Sequence, residues 1–100
     1  MQQNKTLFGI IKLLRQQLPD LNAQYQVRSL GVFGSYVRQT QTVGSDLDLL
    51  VTFDKAPSLL KFIALENRLT DMLGVKVDLV MKDALKPRIG KHVMSEVVLV

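Results

Sequence analysis

Phe33-Gly34-Ser35-Tyr36-Val37-Arg38, followed by Ser45-Asp46-Leu47-Asp48-Leu49-Leu50-Val51, is the stretch on which the reading of this chain turns. Gly34-Ser35 closes one apolar run, and ten residues later Asp46 and Asp48 flank Leu47 at the head of another. On an extended segment, side chains at i and i+2 point to the same face. Asp46, Asp48 and Leu50 therefore share one face, and Leu47, Leu49, Val51 and Phe53 share the other. Paired carboxylates of this kind suit a hard cation such as Mg²⁺. A glycine lets backbone approach a phosphate without a Cβ in the way, and a serine hydroxyl can donate to a phosphate oxygen.

Working outward, Val27–Phe33 reads as the strand before Gly34, and Tyr36–Gln39 as a short helix with Ser35 near its start. Thr40–Ser45 is polar and turn-rich. Leu47–Phe53 is the second strand. The third, Val75–Met81, carries another carboxylate, Asp78. If the second and third strands are neighbours, Asp78 comes close to Asp48 across the sheet. Asp46, Asp48 and Asp78 would then hold divalent ions beside a nucleoside triphosphate. Asp78 would also help deprotonate an attacking hydroxyl. Arg38 can touch a phosphate or an acidic partner, or simply lie on the surface.

The flanks supply helices. Leu7, Ile10, Ile11, Leu14 and Leu18 recur at helical spacing, with Asn4 as the expected N-cap and Pro19 ending the helix near Gln17. Pro57-Ser58 opens a helix with Phe62, Leu65, Leu69, Met72 and Leu73 inward, Glu66 facing water and Gly74 ending it. Pro87 starts a last helix that turns Ile89 and Val93 inward, and Val97–Val100 forms a final short strand. The order is helix, strand, short helix, strand, helix, strand, helix, strand. The fold class is α/β (α+β), a small sheet covered by helices, in a single domain spanning residues 1–100.

Composition narrows the function. The chain has no cysteine, which removes disulfides and thiolate metal sites. Its apolar runs are too short to span a bilayer, and Met1–Lys5 lacks the apolar stretch of a secretory signal, so a cytoplasmic location without membrane contact is expected. The net charge of +4 is spread along the chain, densest at Lys82, Lys86, Arg88, Lys91 and His92. No aromatics interleave with these basic residues, so nothing marks nucleic acid as a direct ligand.

Gly34-Ser35-x₁₀-Asp46-x-Asp48, with Asp78 in Val77-Asp78-Leu79-Val80 and with Ala84-Leu85-Lys86-Pro87, resembles the DNA polymerase beta-like nucleotidyltransferase superfamily, most closely its minimal nucleotidyltransferase group. The resemblance runs from about Leu7 to Val100. It implies a small mixed sheet flanked by helices, ATP as substrate and Mg²⁺ as cofactor. Gly34 and Ser35 would contact phosphate, and Asp46, Asp48 and Asp78 would bind the metal. It further implies an antitoxin paired with a HEPN-domain ribonuclease toxin, neutralised by transfer of AMP to a toxin tyrosine. Neutralisation by complex formation alone, or transfer to a small molecule or RNA, are the alternatives, and a homo- or hetero-oligomer is compatible with each. Family members often carry glycine after the arginine matching Arg38, where this chain has Gln39. The toxin's own signature is an arginine and a histidine with four to six residues between them. It is absent, since only three residues separate Arg88 from His92.

Overall fold

The crossover from Leu47–Phe53 through Leu59–Leu73 to Val77–Met81 organises the molecule, because it makes two strands parallel and so brings their N-terminal ends together. A computed structural model describes residues 6–100. In chain order they form α1 (Leu7–Tyr25), β1 (Val27–Phe33), α2 (Ser35–Arg38), β2 (Leu47–Phe53), α3 (Leu59–Leu73), β3 (Val77–Met81), a 3₁₀ turn (Lys82–Ala84), α4 (Pro87–Glu96) and β4 (Val98–Leu99). The sheet is mixed and four-stranded, in the order β3-β2-β1-β4. β1 runs antiparallel to β2 and to β4, and β2 runs parallel to β3.

The expected alternation in β2 is realised. Leu47, Leu49 and Val51 are buried in a core shared with Ile10, Leu14 and Leu21 of α1 and Leu65, Leu69 and Leu73 of α3. Asp48 lies on the other face, half-buried. Tyr36 packs into the same core, 4% exposed, which roots α2 beneath the Gly34 turn. Gly31 is required in β1 by its neighbour. A Cβ there would stand 2.5 Å from Val97 Cγ2, at the point where the chain enters β4.

Four expectations change. The N-cap Asn4 lies outside the described residues, and Thr6 caps α1 by accepting the Gly9 N–H at 3.2 Å. α1 does not end near Gln17 but continues through Pro19 to Tyr25. Proline removes one helical hydrogen bond, to the carbonyl of Arg15. Both residues are exposed, so water can serve that carbonyl, and continuing the helix buries Leu21 to 1% exposure. Burial of a leucine, at about 1.5–3 kcal/mol, offsets much of the local penalty. β3 begins at Val77 rather than Val75. Ile89 is 53% exposed, and α4 turns only Val93 inward, because helical spacing fixes a stripe but not how far it lies over the sheet.

Glu66 also departs from expectation, since it does not face water. β3 is an edge strand, and alternate N–H groups on its open side have no strand to bond. Glu66 Oε2 accepts the Leu79 N–H at 2.9 Å, and Thr70 Oγ1 accepts the Val77 N–H at 3.0 Å. The helix thus closes the edge of the strand that carries Asp78. Glu66→Ala is expected to lower stability by about 1–2 kcal/mol and to speed hydrogen exchange at the Leu79 amide. Urea unfolding and amide exchange measure both.

Candidate active site

Register places the acidic residues. Phe33 pairs with Asp48, so the turn at Gly34 begins directly beside that carboxylate. On the other side Asp48 pairs with Asp78, as the neighbouring-strand expectation requires. Asp46 sits at the exposed end of the loop before β2, and Asp78 is exposed on β3. Among the described residues, no three His, Cys, Asp or Glu side chains are gathered tightly enough to cage a metal ion by themselves.

Asp46 and Asp78 nevertheless act on Asp48. The Asp48 carboxyl is raised from 3.8 to about 6, first by burial, then by the negative charges of Asp78 and Asp46, with Arg38 pulling the other way. The site therefore carries negative charge that Arg38 only partly relieves. That is the electrostatic signature expected where a cation belongs. Mg²⁺ takes oxygen ligands and commonly uses one or two carboxylates together with substrate phosphates, rather than an all-protein cage. The donor set here fits that ion.

Gly34 sets the turn. Its φ of 80° and ψ of −151° lie in a region essentially restricted to glycine, and a Cβ built on it would land on the Asp48 carboxylate. Both features require glycine, one for conformation and one for space. The carbonyl of Gly34 accepts the Val37 and Arg38 N–H groups at 3.0 and 3.2 Å, which winds α2. Ser35 is the first residue of that helix, as expected. The first N–H groups of a helix have no partner within it, so Ser35 and Tyr36 present backbone donors where the turn meets the acidic strands.

Gln39 ends α2 in the left-handed region, at φ 59° and ψ 37°. The loop thus keeps a shape that glycine would adopt without strain. Gln39→Gly is expected to stabilise the protein by about 0.5–1 kcal/mol, as relief of left-handed strain outweighs the added freedom of the unfolded chain. Urea unfolding provides the measurement.

Glu96, the last residue of α4, is the site residue that sequence reasoning passed over. It bonds the Gly34 N–H at 2.8 Å and Arg38 Nη1 at 2.9 Å. Its one available signal was a carboxylate placed four residues after His92, the end of the basic segment that begins at Lys82. Beside Asp46, a groove with a volume of about 530 Å³ runs past Tyr36, Gln41, Val43, Ser45 and Lys76. Among the described residues, the buried Gln41 Oε1 has no hydrogen-bond partner.

A Gly-Ser turn set against strand carboxylates, on a mixed sheet with a parallel crossover, is the arrangement expected of the nucleotidyltransferase class. The comparisons give that class its family. The nucleotidyltransferase domain family matches residues 11–100. The chain is 50% identical over 95 residues to protein adenylyltransferase MntA of Thermococcus cleftensis, spanning 95% of this chain and 96% of that protein. A solved candidate minimal nucleotidyltransferase superposes with a TM-score of 0.75 at 34% identity, over 90% of this chain and 92% of the other. A chain from a toxin–antitoxin crystal structure with AMP-PNP superposes with a TM-score of 0.69 at 27% identity, over 97% of this chain and 72% of the other. The protein belongs to the nucleotidyltransferase domain family, as a minimal nucleotidyltransferase. Among the described residues no helix is long and apolar enough to cross a membrane.

Proposed function

We propose that this enzyme transfers AMP from ATP to a protein hydroxyl, with Mg²⁺ as cofactor, and that it is the antitoxin of a HEPN-domain toxin whose tyrosine it modifies. The observation that carries the reading is Asp48, pressed against the Gly34 turn on one side and paired with Asp78 on the other. The adenylyltransferase name of the MntA relative supports the choice of AMP and of a protein acceptor. The nucleotide-bearing toxin–antitoxin neighbour supports the partner. A cytoplasmic setting belongs to the same proposal.

In this reading, Ser35 and its backbone N–H hold the triphosphate, and Arg38 neutralises part of its charge. Asp46, Asp48 and Asp78 would hold Mg²⁺, which supplies charge neutralisation and Lewis acidity at the phosphates. The acceptor oxygen forms a bond to the α-phosphorus as the bond from that phosphorus to the bridging oxygen breaks. Pyrophosphate leaves, and Asp78 takes the proton from the acceptor hydroxyl. The acceptor segment is assigned to the groove of about 530 Å³ beside Asp46.

A second reading, neutralisation by binding alone, is favoured by the exposure of Asp46 and Asp78. The test is transfer of α-³²P-labelled AMP from ATP to the purified HEPN protein, with Asp46→Asn and Asp48→Asn as controls. Labelled toxin with the wild type and none with either variant supports catalysis. Full protection of cells by the double variant, without label, supports binding alone.

A further inference from the structure

Glu96 ends α4, yet its side chain serves α2. Oε2 accepts the Gly34 N–H at 2.8 Å, and Arg38 Nη1 reaches Oε1 at 2.9 Å and Oε2 at 3.2 Å. The Glu96 side chain is 15% exposed and that of Arg38 is 51% exposed, so the carboxylate is tucked in while the guanidinium reaches outward. Burial pushes the Glu96 carboxyl up, but the Gly34 N–H and the Arg38 guanidinium outweigh it and hold it below the ordinary glutamate value. It is therefore a fixed anion at neutral pH.

Its position relative to Gly34 matters. Asp48 occupies the side where a Cβ would project, whereas Glu96 lies along the N–H. The Gly34 amide is thus already committed, and the donors left for a phosphate are those of Ser35 and Tyr36. Arg38 is otherwise a long exposed side chain with many rotamers, and ordering it costs up to about 2 kcal/mol of entropy. A carboxylate that already fixes its direction removes much of that cost from nucleotide binding.

We infer that Glu96 is a positioning residue for the nucleotide: it locks the Gly34 turn and aims the Arg38 guanidinium at the triphosphate without touching the nucleotide itself. The inference rests on the nucleotide site proposed above. It gives the C-terminal helix a part in nucleotide binding, because α4 delivers the carboxylate and β4 anchors the segment against β1 through Val98 and Leu99.

The experiment measures KM for MgATP and kcat in AMP transfer, together with Kd for MgAMP-PNP and the thermal midpoint, using the full chain. Glu96→Ala is expected to raise KM and Kd about tenfold with kcat within about threefold. Glu96→Gln keeps an acceptor for the Gly34 N–H but loses the charge on Arg38, and should fall between. Adding Glu96→Ala to Arg38→Ala should cost little further affinity, since both remove one device. If Glu96→Ala does not fold, the Glu96→Gln shift carries the test. Unchanged KM and Kd in the folded variants would overturn the inference alone and leave a purely structural carboxylate. A fall in KM would overturn it too, since Glu96 would then compete with phosphate. A wild-type chain that neither binds MgAMP-PNP nor transfers AMP would overturn the functional reading, and this inference with it.

Discussion

Asp48→Asn is expected to abolish AMP transfer, by about 10³-fold or more, and at the same time to make the nucleotide-free protein more stable at neutral pH. The two effects share one cause. In the folded chain Asp48 is half-buried beside Asp78 and Asp46, and its carboxyl is raised from 3.8 to about 6. The folded state therefore binds the proton more tightly than the unfolded state does. Stability contributed by that proton is complete below the unfolded value and is lost as pH rises through the folded one, so it falls between about pH 4 and pH 6. An amide carries no charge and removes the loss. Asp48 is only half-buried, so solvent screens the repulsion and the gain is about 1 kcal/mol, or roughly 4–8 °C in midpoint. Thermal unfolding from pH 4 to pH 8 should show the wild type declining across that window and Asp48→Asn nearly flat. An activity loss with no gain in midpoint would mean that the acids do not repel one another in the free protein.

Gly34→Val should be the most damaging single change in the turn. It forces a β-branched residue into φ 80°, ψ −151°, and drives its Cβ into the Asp48 carboxylate. Relief requires moving either the turn or β2, at about 3 kcal/mol or more, and either movement separates Ser35 from the acids. Circular dichroism and urea unfolding should show a folded but weakened protein, with AMP transfer lost. Gly34→Ala should follow the same direction with a smaller shift. Wild-type activity in Gly34→Ala would show that the contact between turn and carboxylate is not needed for chemistry.

The contrast between these predictions and the sequence shows where legibility stops. β1 and β2 fall at the expected residues because period-2 burial and the Gly34 break are local signals. The pairing of Asp48 with Asp78 is a long-range fact. The sequence made it conditional on strand order, and the parallel crossover supplies the condition. The Pro19 stop fails because its local rule competes with burial of Leu21 two residues further on. Glu66 looked like a solvent-facing interruption of an apolar stripe, and only the position of β3 at the sheet edge gives its carboxylate a backbone partner. Glu96 carried no motif at all. Its role emerges once the C-terminal strand lies against β1 and brings the end of α4 to Gly34. The i, i+2 spacing pairs Asp46 with Asp48, whereas its exposure at the end of the loop before β2 depends on the folded chain.

The central claim concerns where a divalent ion settles once a triphosphate is present. Anomalous diffraction from a crystal grown with Mn²⁺ and a non-hydrolysable ATP analogue is the direct measurement. The account predicts Mn²⁺ within about 2.0–2.3 Å of an Asp48 oxygen, shared with Asp46 or Asp78 and with the analogue's phosphates lying on Ser35. Mn²⁺ bound by phosphates alone, with all three aspartates out of reach, would contradict it.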